Sequence, residues 1–207
     1  MVQLQKGHEL MAKVDLARRA EIGREKRART RAQIVEAGAT LLGGRTNEAI
    51  TVDAVVEAAG VAKGTFYYHF KSIGDLAAAV GAGLSQSFDE LLSPARLERR
   101  DPIERLSFAF MKFLERASAD TDWARLVIQS SQSPIEFGMG VRANLKADIG
   151  EAITQGRVSV RDVELAADIA IGIWLEVTRG IIARGPRPET TSQALEATLR
   201  ALGLGQR

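Results

Sequence analysis

Residues 51–71 read TVDAVVEAAGVAKGTFYYHFK, and this stretch decides the fold. Thr51 stands where a helix N-cap belongs, and Asp53 falls in the first turn, where the helix dipole favours an acid. Val52, Val55, Val56 and Ala59 recur at the i, i+3, i+4, i+7 spacing of one buried face, which predicts a helix over about 52–59. Gly60 follows the last turn, the usual place for a left-handed cap. A second short helix is predicted over about 62–70. At 100° per residue, Phe66 and Phe70 share its inner side with Ala62. Gly64 and Tyr68 point away, with Thr65 and Tyr67 on the flanks. Lys63 and His69 lie nearer the inner side but are long or polar enough to reach out. Two short helices joined by a glycine turn form a helix-turn-helix.

An exposed helical face of Gly, Tyr, Thr, Tyr, Lys and His is unusual for a surface that meets only water. A DNA duplex accounts for each type. The major groove, about 12 Å wide, admits one helix. Gly64 lets the helix backbone come close to the duplex. The Thr65 methyl suits a thymine methyl, and its hydroxyl a base or phosphate. The hydroxyls of Tyr67 and Tyr68, with Lys63, His69 and Lys71, suit phosphate oxygens. Free backbone N–H groups at Thr51 offer a further phosphate site. The alternative is that either tyrosine packs inside and shows only its hydroxyl.

Working outward, a first helix is predicted over about 24–42, with Ile34, Ala37 and Leu41 on one face and Gly43-Gly44 as its stop. Ser72 caps a fourth helix, with Asp75 three residues on in a capping-box-like arrangement. Leu76, Val80, Leu84, Phe88 and Leu91 form its stripe to about Leu92. Five more helices are predicted over about 102–118, 121–131, 137–155, 162–184 and 191–203. The five prolines all fall near apparent helix boundaries. The chain is therefore all-α, with about nine helices.

Composition narrows the function classes. The chain of 207 residues contains no cysteine and only two histidines, His8 and His69, far apart in sequence. Disulfides and thiolate metal sites are excluded, and no metal or cofactor is expected. No Ser/His/Asp or Cys/His constellation and no glycine-rich phosphate loop after a strand is present, so no catalytic residue is assigned and an enzyme is not expected. No apolar run reaches the roughly 18 residues of a membrane span, and the N-terminus has no signal-peptide core, which predicts a cytoplasmic protein without membrane association. The net charge of +2 is unevenly placed: residues 1–71 carry +4 and the remainder −2. Residues 18–31, RRAEIGREKRARTR, hold seven basic and two acidic side chains. A basic first third suits a nucleic-acid module joined to something else, although such a run alone also fits a solvated helix start.

At these residues the chain resembles the TetR family of transcriptional regulators. The resemblance covers about 28–75: Thr51, the Ala59-Gly60-Val61 turn, Lys63-Gly64-Thr65, the run Phe66-Tyr67-Tyr68-His69-Phe70-Lys71, and Asp75-Leu76 opening the fourth helix. It implies an N-terminal three-helix DNA-binding domain (24–74, helix-turn-helix about 51–70). A fourth helix joins it to a ligand-binding and dimerisation domain (75–207). It also implies a homodimer on a palindromic double-stranded DNA operator, and repression relieved by a small-molecule effector. By the family's pattern the DNA contacts fall on Thr51, Lys63, Gly64, Thr65, Tyr67, Tyr68, His69 and Lys71. One departure is Ile73, where the family commonly has a phosphate-contacting lysine. Another is the basic leader, residues 1–23, which is open to three readings: a disordered arm along DNA, an extension of helix 1, or a segment ahead of a start at Met11. Partial disorder is the expectation.

In the back half, the run Ile169–Leu175 (IAIGIWL) is apolar nearly all round, so its helix is buried on more than one side. A dimer partner on one face and the core on the other would do it; so would a central place in a monomer. With the Leu195, Leu199, Leu202 stripe, the last two helices are the expected homodimer contact. Five of the seven phenylalanines and both tryptophans lie after residue 75. Phe108, Met111, Trp123, Phe137 and Trp174 are the candidates for an apolar ligand pocket, with Arg125, Arg142, Glu176 and Arg179 as polar anchors. For any single one of the apolar five, ordinary core is the competing reading. The small residues Ala77 to Gly83 in the fourth helix point to a place where that helix slides or bends. A DNA-binding protein without a small ligand, controlled by a partner or organising DNA, is the alternative to a ligand-responsive regulator.

Overall fold

A computed structural model describes residues 2–44, 50–131 and 139–204, and of residues 2–17 and 139 the helical backbone alone. The described residues form nine helices and no strand: α1 (Val2–Gly43), α2 (Val52–Ala59), α3 (Lys63–His69), α4 (Ile73–Leu97), α5 (Pro102–Ala119), α6 (Thr121–Ser130), α7 (Met139–Thr154), α8 (Val163–Arg184) and α9 (Thr190–Ala201). The order matches the periodicity of the sequence, with two differences of length.

The first is α1. It begins at Val2 rather than Arg24, so the basic leader continues the helix instead of leaving it. The segment is rich in Ala, Leu, Glu, Lys, Arg and Gln and has no proline, so backbone propensity favours helix even without an apolar face to bury. At 42 residues the helix is about 60 Å long. The second is α4, which runs through Pro94 to Leu97. Proline removes one backbone donor only three residues before the end, and the last turn is held by buried Arg96 instead. Arg96 donates from Nε and Nη2 to Asp148 Oδ2 of α7 at 3.2 and 2.7 Å. Arg105 Nε of α5 donates to the other Asp148 oxygen at 2.6 Å, and its Nη2 reaches Glu151. Asp148 is only 3% exposed. A carboxylate that far from water is tolerated because two guanidiniums face it. The cluster ties α4, α5 and α7 together.

Two apolar cores result. One gathers Ile34 and Leu42 of α1, Val55 of α2, Phe66 of α3, Phe70, and Leu76 and Val80 of α4. Leu126 of α6 also enters it, so α6 reaches into the N-terminal head. Gly38 of α1 lies so close to α4 that a Cβ there would stand 2.8 Å from Leu76 Cδ2. The other core packs α4 to α9 around Phe88, Phe110, Phe113, Trp123 and Trp174. Leu84 of α4 packs against both. Within the second core α8 touches α5, α6, α7 and α9. That explains its nearly all-round apolar surface in part: Ala166, Ala167, Ala170, Trp174 and Ile181 are buried, while Ile169, Ile173, Leu175 and Val177 stay half-exposed.

Candidate functional site

The helix-turn-helix is built by local chemistry. The Thr51 side chain accepts from Ala54 N at 3.2 Å and so caps α2. Gly60 closes α2 at φ 64°, ψ 34°, a conformation that favours glycine. Its N–H donates to Glu57 O at 3.2 Å and that of Val61 to Val56 O at 3.0 Å, the paired bonds of a Schellman cap. The chain then turns into α3, with Ala62 as extended N-cap. Ala62 is exposed rather than inside, because it precedes the helix and does not follow its 100° step.

Along α3 the faces divide as their spacing requires. Phe66 and Phe70 are buried, with rings 5.9 Å apart, and Arg31 of α1 covers Phe70 at 5.0 Å. Tyr67 and Tyr68 are 53% and 69% exposed, among the few large apolar-bodied side chains that are. Tyr67 stands edge-on to Phe66, and Tyr68 edge-on to His69. These ring contacts limit how far the tyrosines swing. Thr65 and His69 are half-buried, Lys63 and Lys71 exposed. Among the described residues, nothing beyond the helix's own neighbouring backbone lies within 4 Å of a Cβ built on Gly64. The fold therefore does not require glycine there, although glycine weakens a helix by about 1 kcal/mol relative to alanine.

Charge on this surface is partly tethered. Lys63 Nζ pairs with Asp53 Oδ1 at 2.8 Å, and this hydrogen bond raises the lysine above its ordinary pKa. Both partners are exposed, so the pair is weak and its lysine is easily given up to another anion. Asp75 N donates to Ser72 Oγ at 3.1 Å, while Asp75 Oδ2 accepts from Lys71 N at 3.0 Å. This fixes the junction of α3 and α4 and holds Lys71 beside the exposed face of α3. Ile73 packs against the N-terminal core, so at this position the chain has an apolar anchor in place of a cation.

The back half holds a cavity between α4, α5, α6, α7 and α8. Leu84, Ser85, Phe88, Phe113, Trp123, Val127, Val141, Arg142, Ile171, Trp174 and Leu175 line it. Of the five pocket candidates, Trp123 and Trp174 are on its wall. Phe108 and Met111 are not: Phe108 is half-buried under Arg99, 3.8 Å from its ring centroid, and Met111 faces solvent. Phe137 lies outside the described residues. Phe88 and Phe113 stand on the wall in their place. Of the four polar candidates, Arg142 alone lines the cavity, and it is paired with Asp168 at 2.6 Å and Glu164 at 3.3 Å. Arg125 pairs with Asp122, and Arg179 with Glu176 at 3.0 Å.

Two polar atoms in this wall have no partner. Ser85 Oγ and Trp174 Nε1 are buried without a hydrogen bond. Their residues are 5% and 3% exposed. A buried polar group left unpaired is destabilising by about 1–3 kcal/mol. A second, smaller hollow shares Phe88, Val141 and Trp174 and ends at Asp89, Arg96, Asn144 and Asp148. Among the described residues no cluster of three or more metal-ligating side chains exists, and no helix is long and apolar enough to cross a membrane.

Among the described residues, a three-helix head with an exposed α3 is set on a six-helix body with an apolar cavity, and the head is a helix-turn-helix. Residues 34–80 match the model for bacterial regulatory proteins of the tetR family. No curated protein matches the sequence. Among solved structures, a TetR-family regulator from Shewanella sp. PV-4 superposes with a TM-score of 0.66 at 20% identity, over 84% of this chain and 97% of that one. RolR in complex with resorcinol gives 0.65 at 20%, over 87% and 91%. The transcriptional regulator FadR from Bacillus subtilis in complex with stearoyl-CoA gives 0.62 at 22%, over 83% and 96%. At these identities the likeness is one of fold, and it extends through the body as well as the head.

Proposed function

We propose that this protein is a transcriptional repressor that binds a palindromic operator as a homodimer and lets go when a small, largely apolar molecule enters the body. The observation that carries the DNA reading is α3: two adjacent exposed tyrosines and a glycine with free space above it, flanked by Lys63 and Lys71. Thr51, Lys63, Gly64, Thr65, Tyr67, Tyr68, His69 and Lys71 are its contacts. Lys63 exchanges Asp53 for phosphate on binding. The homodimer forms through α8 and α9, whose half-exposed Ile169, Ile173, Leu195 and Leu199 support it. The protein works in the cytoplasm, where its DNA is.

Two helices carry the signal. α4 supplies Leu84, Ser85 and Phe88 to the cavity and Leu76 and Val80 to the head; α6 supplies Trp123 and Val127 to the cavity and Leu126 to the head. A molecule that parts the cavity walls moves the head through both. Half-sites one turn apart lie about 34–36 Å apart, so a modest swing of one head breaks the match. That two structures of similar fold hold resorcinol and stearoyl-CoA supports a small-molecule signal here.

Selection of bound duplexes from random DNA tests this. A palindromic motif is expected. A protein that enriches no sequence, or enriches only a single half-site as a monomer, would contradict the dimeric reader.

A further inference from the structure

The unpaired atoms in the cavity wall point to a particular chemistry. Among the described residues, Ser85 Oγ and Trp174 Nε1 are the buried side-chain polar atoms without a partner, and both residues line the same cavity. Indole N–H is a donor only, so Trp174 requires an acceptor; the serine hydroxyl both donates and accepts. The remaining wall is apolar and aromatic. Phe88, Phe113, Trp123 and Trp174 interlock, with successive ring centroids 5.3–5.8 Å apart. Among the described residues one charged side chain lines the space, Arg142, and it is already neutralised by Asp168 and Glu164. An anionic ligand would find no free cation among these walls. The free volume is small, about 40 Å³. A dry cavity that holds benzene runs to about 150 Å³, so even a compact ring must part these walls, and a long chain would have to part them much further.

We propose that the cavity takes a small, neutral, ring-bearing molecule with a hydroxyl or carbonyl oxygen, which accepts from Trp174 Nε1–H and hydrogen-bonds Ser85. This rests on the reading of the body as a ligand domain and adds the class of ligand. The apolar ring fills the aromatic wall, and the oxygen supplies the partner that two buried groups lack. The preference arises because an apolar ring without oxygen leaves both groups unpaired, while a carboxylate loses its hydration without gaining a counter-ion.

The chain has two tryptophans, Trp123 and Trp174, and both stand in the cavity wall, so intrinsic fluorescence reports occupancy directly. The full-length protein is titrated with phenol, toluene and benzoate. Saturable quenching by phenol is expected, with an affinity at least about tenfold above toluene and benzoate. Trp174→Phe keeps a ring, leaves Trp123 as reporter, and should cut the phenol preference over toluene about tenfold. Ser85→Ala should cut it less. Ligand-free melting temperatures of both variants should stay level or rise, since each removes an unpaired buried polar group. Toluene or benzoate binding as tightly as phenol, no saturable quenching by any of the three, or variants that keep the full preference would each overturn the proposal. Operator binding by the ligand-free wild type, measured in the same preparations, separates the outcomes: its absence counts against the regulator reading and leaves the ligand class standing.

Discussion

The helix α3 and the cavity both contain residues that the fold itself does not need, but they carry them differently. On α3 the surplus is exposed: Tyr67 and Tyr68 face water, and Gly64 weakens a helix in which an alanine would fit. In the cavity it is buried: Ser85 and Trp174 hold polar atoms away from water without partners. At the adjoining hollow, which shares Phe88, Val141 and Trp174 with the cavity, the Arg96–Asp148–Arg105 cluster shows the same polar chemistry fully paired. Paired burial is structural; unpaired burial and exposed aromatics mark where something else is expected to bind.

The comparison can be broken most forcefully at the paired cluster. Asp148→Ala leaves two guanidiniums facing each other with little solvent and should destabilise the protein by about 3–5 kcal/mol in a denaturant titration. A loss no larger than that of Ser85→Ala would erase the distinction between paired and unpaired groups. Gly64→Ala comes next. It should raise the helix's stability by up to about 1 kcal/mol and weaken operator binding by about 1–3 kcal/mol, two opposite shifts read by melting and by anisotropy. Equal operator affinity would show that the duplex does not approach this backbone. Deleting residues 1–22 removes four basic side chains, Lys6, Lys13, Arg18 and Arg19, and should flatten the salt dependence of operator binding by about one unit of slope or more. An unchanged slope would take the leader out of the interface. The smallest effect is at Asp101, which caps α5 by accepting from Ile103 N at 2.7 Å and is paired with Arg157. Its hydrogen bond with Arg157 depresses its pKa below the usual 3.8. Its contribution is therefore full above that value and lost as pH falls below it, and Asp101→Ala should remove about 1 kcal/mol at neutral pH. Stability curves of the two proteins should converge in acid.

What the sequence revealed follows from the same contrast. The α3 surface is contiguous: 51–71 contain the cap, the turn, the anchors Phe66 and Phe70 and the exposed face, so helical periodicity alone separates inside from outside. The nine helices were legible for the same reason, through apolar spacing and capping residues. The cavity is assembled from five helices over some 90 residues, from Leu84 to Leu175. Periodicity puts Phe113 on the buried stripe of α5 with Leu106, Phe110 and Leu114, and Phe108, which stacks on Arg99, about 140° away from it, but it does not say which part of that stripe lines a cavity. Trp174 and Trp123 were visible as large side chains, but Ser85 carried no signal, because its significance is the absence of a hydrogen bond. The two differences of length have equally physical causes. Propensity without an apolar face extends α1, and a tertiary ion pair carries α4 past Pro94.

The central claim is that α3 reads DNA through a face that the fold leaves free. Anisotropy on a selected operator, comparing wild type with Lys63→Ala/Tyr67→Ala and with melting temperatures in parallel, tests it most directly. Both residues are exposed, so melting should hardly change, while operator affinity should fall about a hundredfold. Unchanged affinity in a protein that melts normally would contradict the claim.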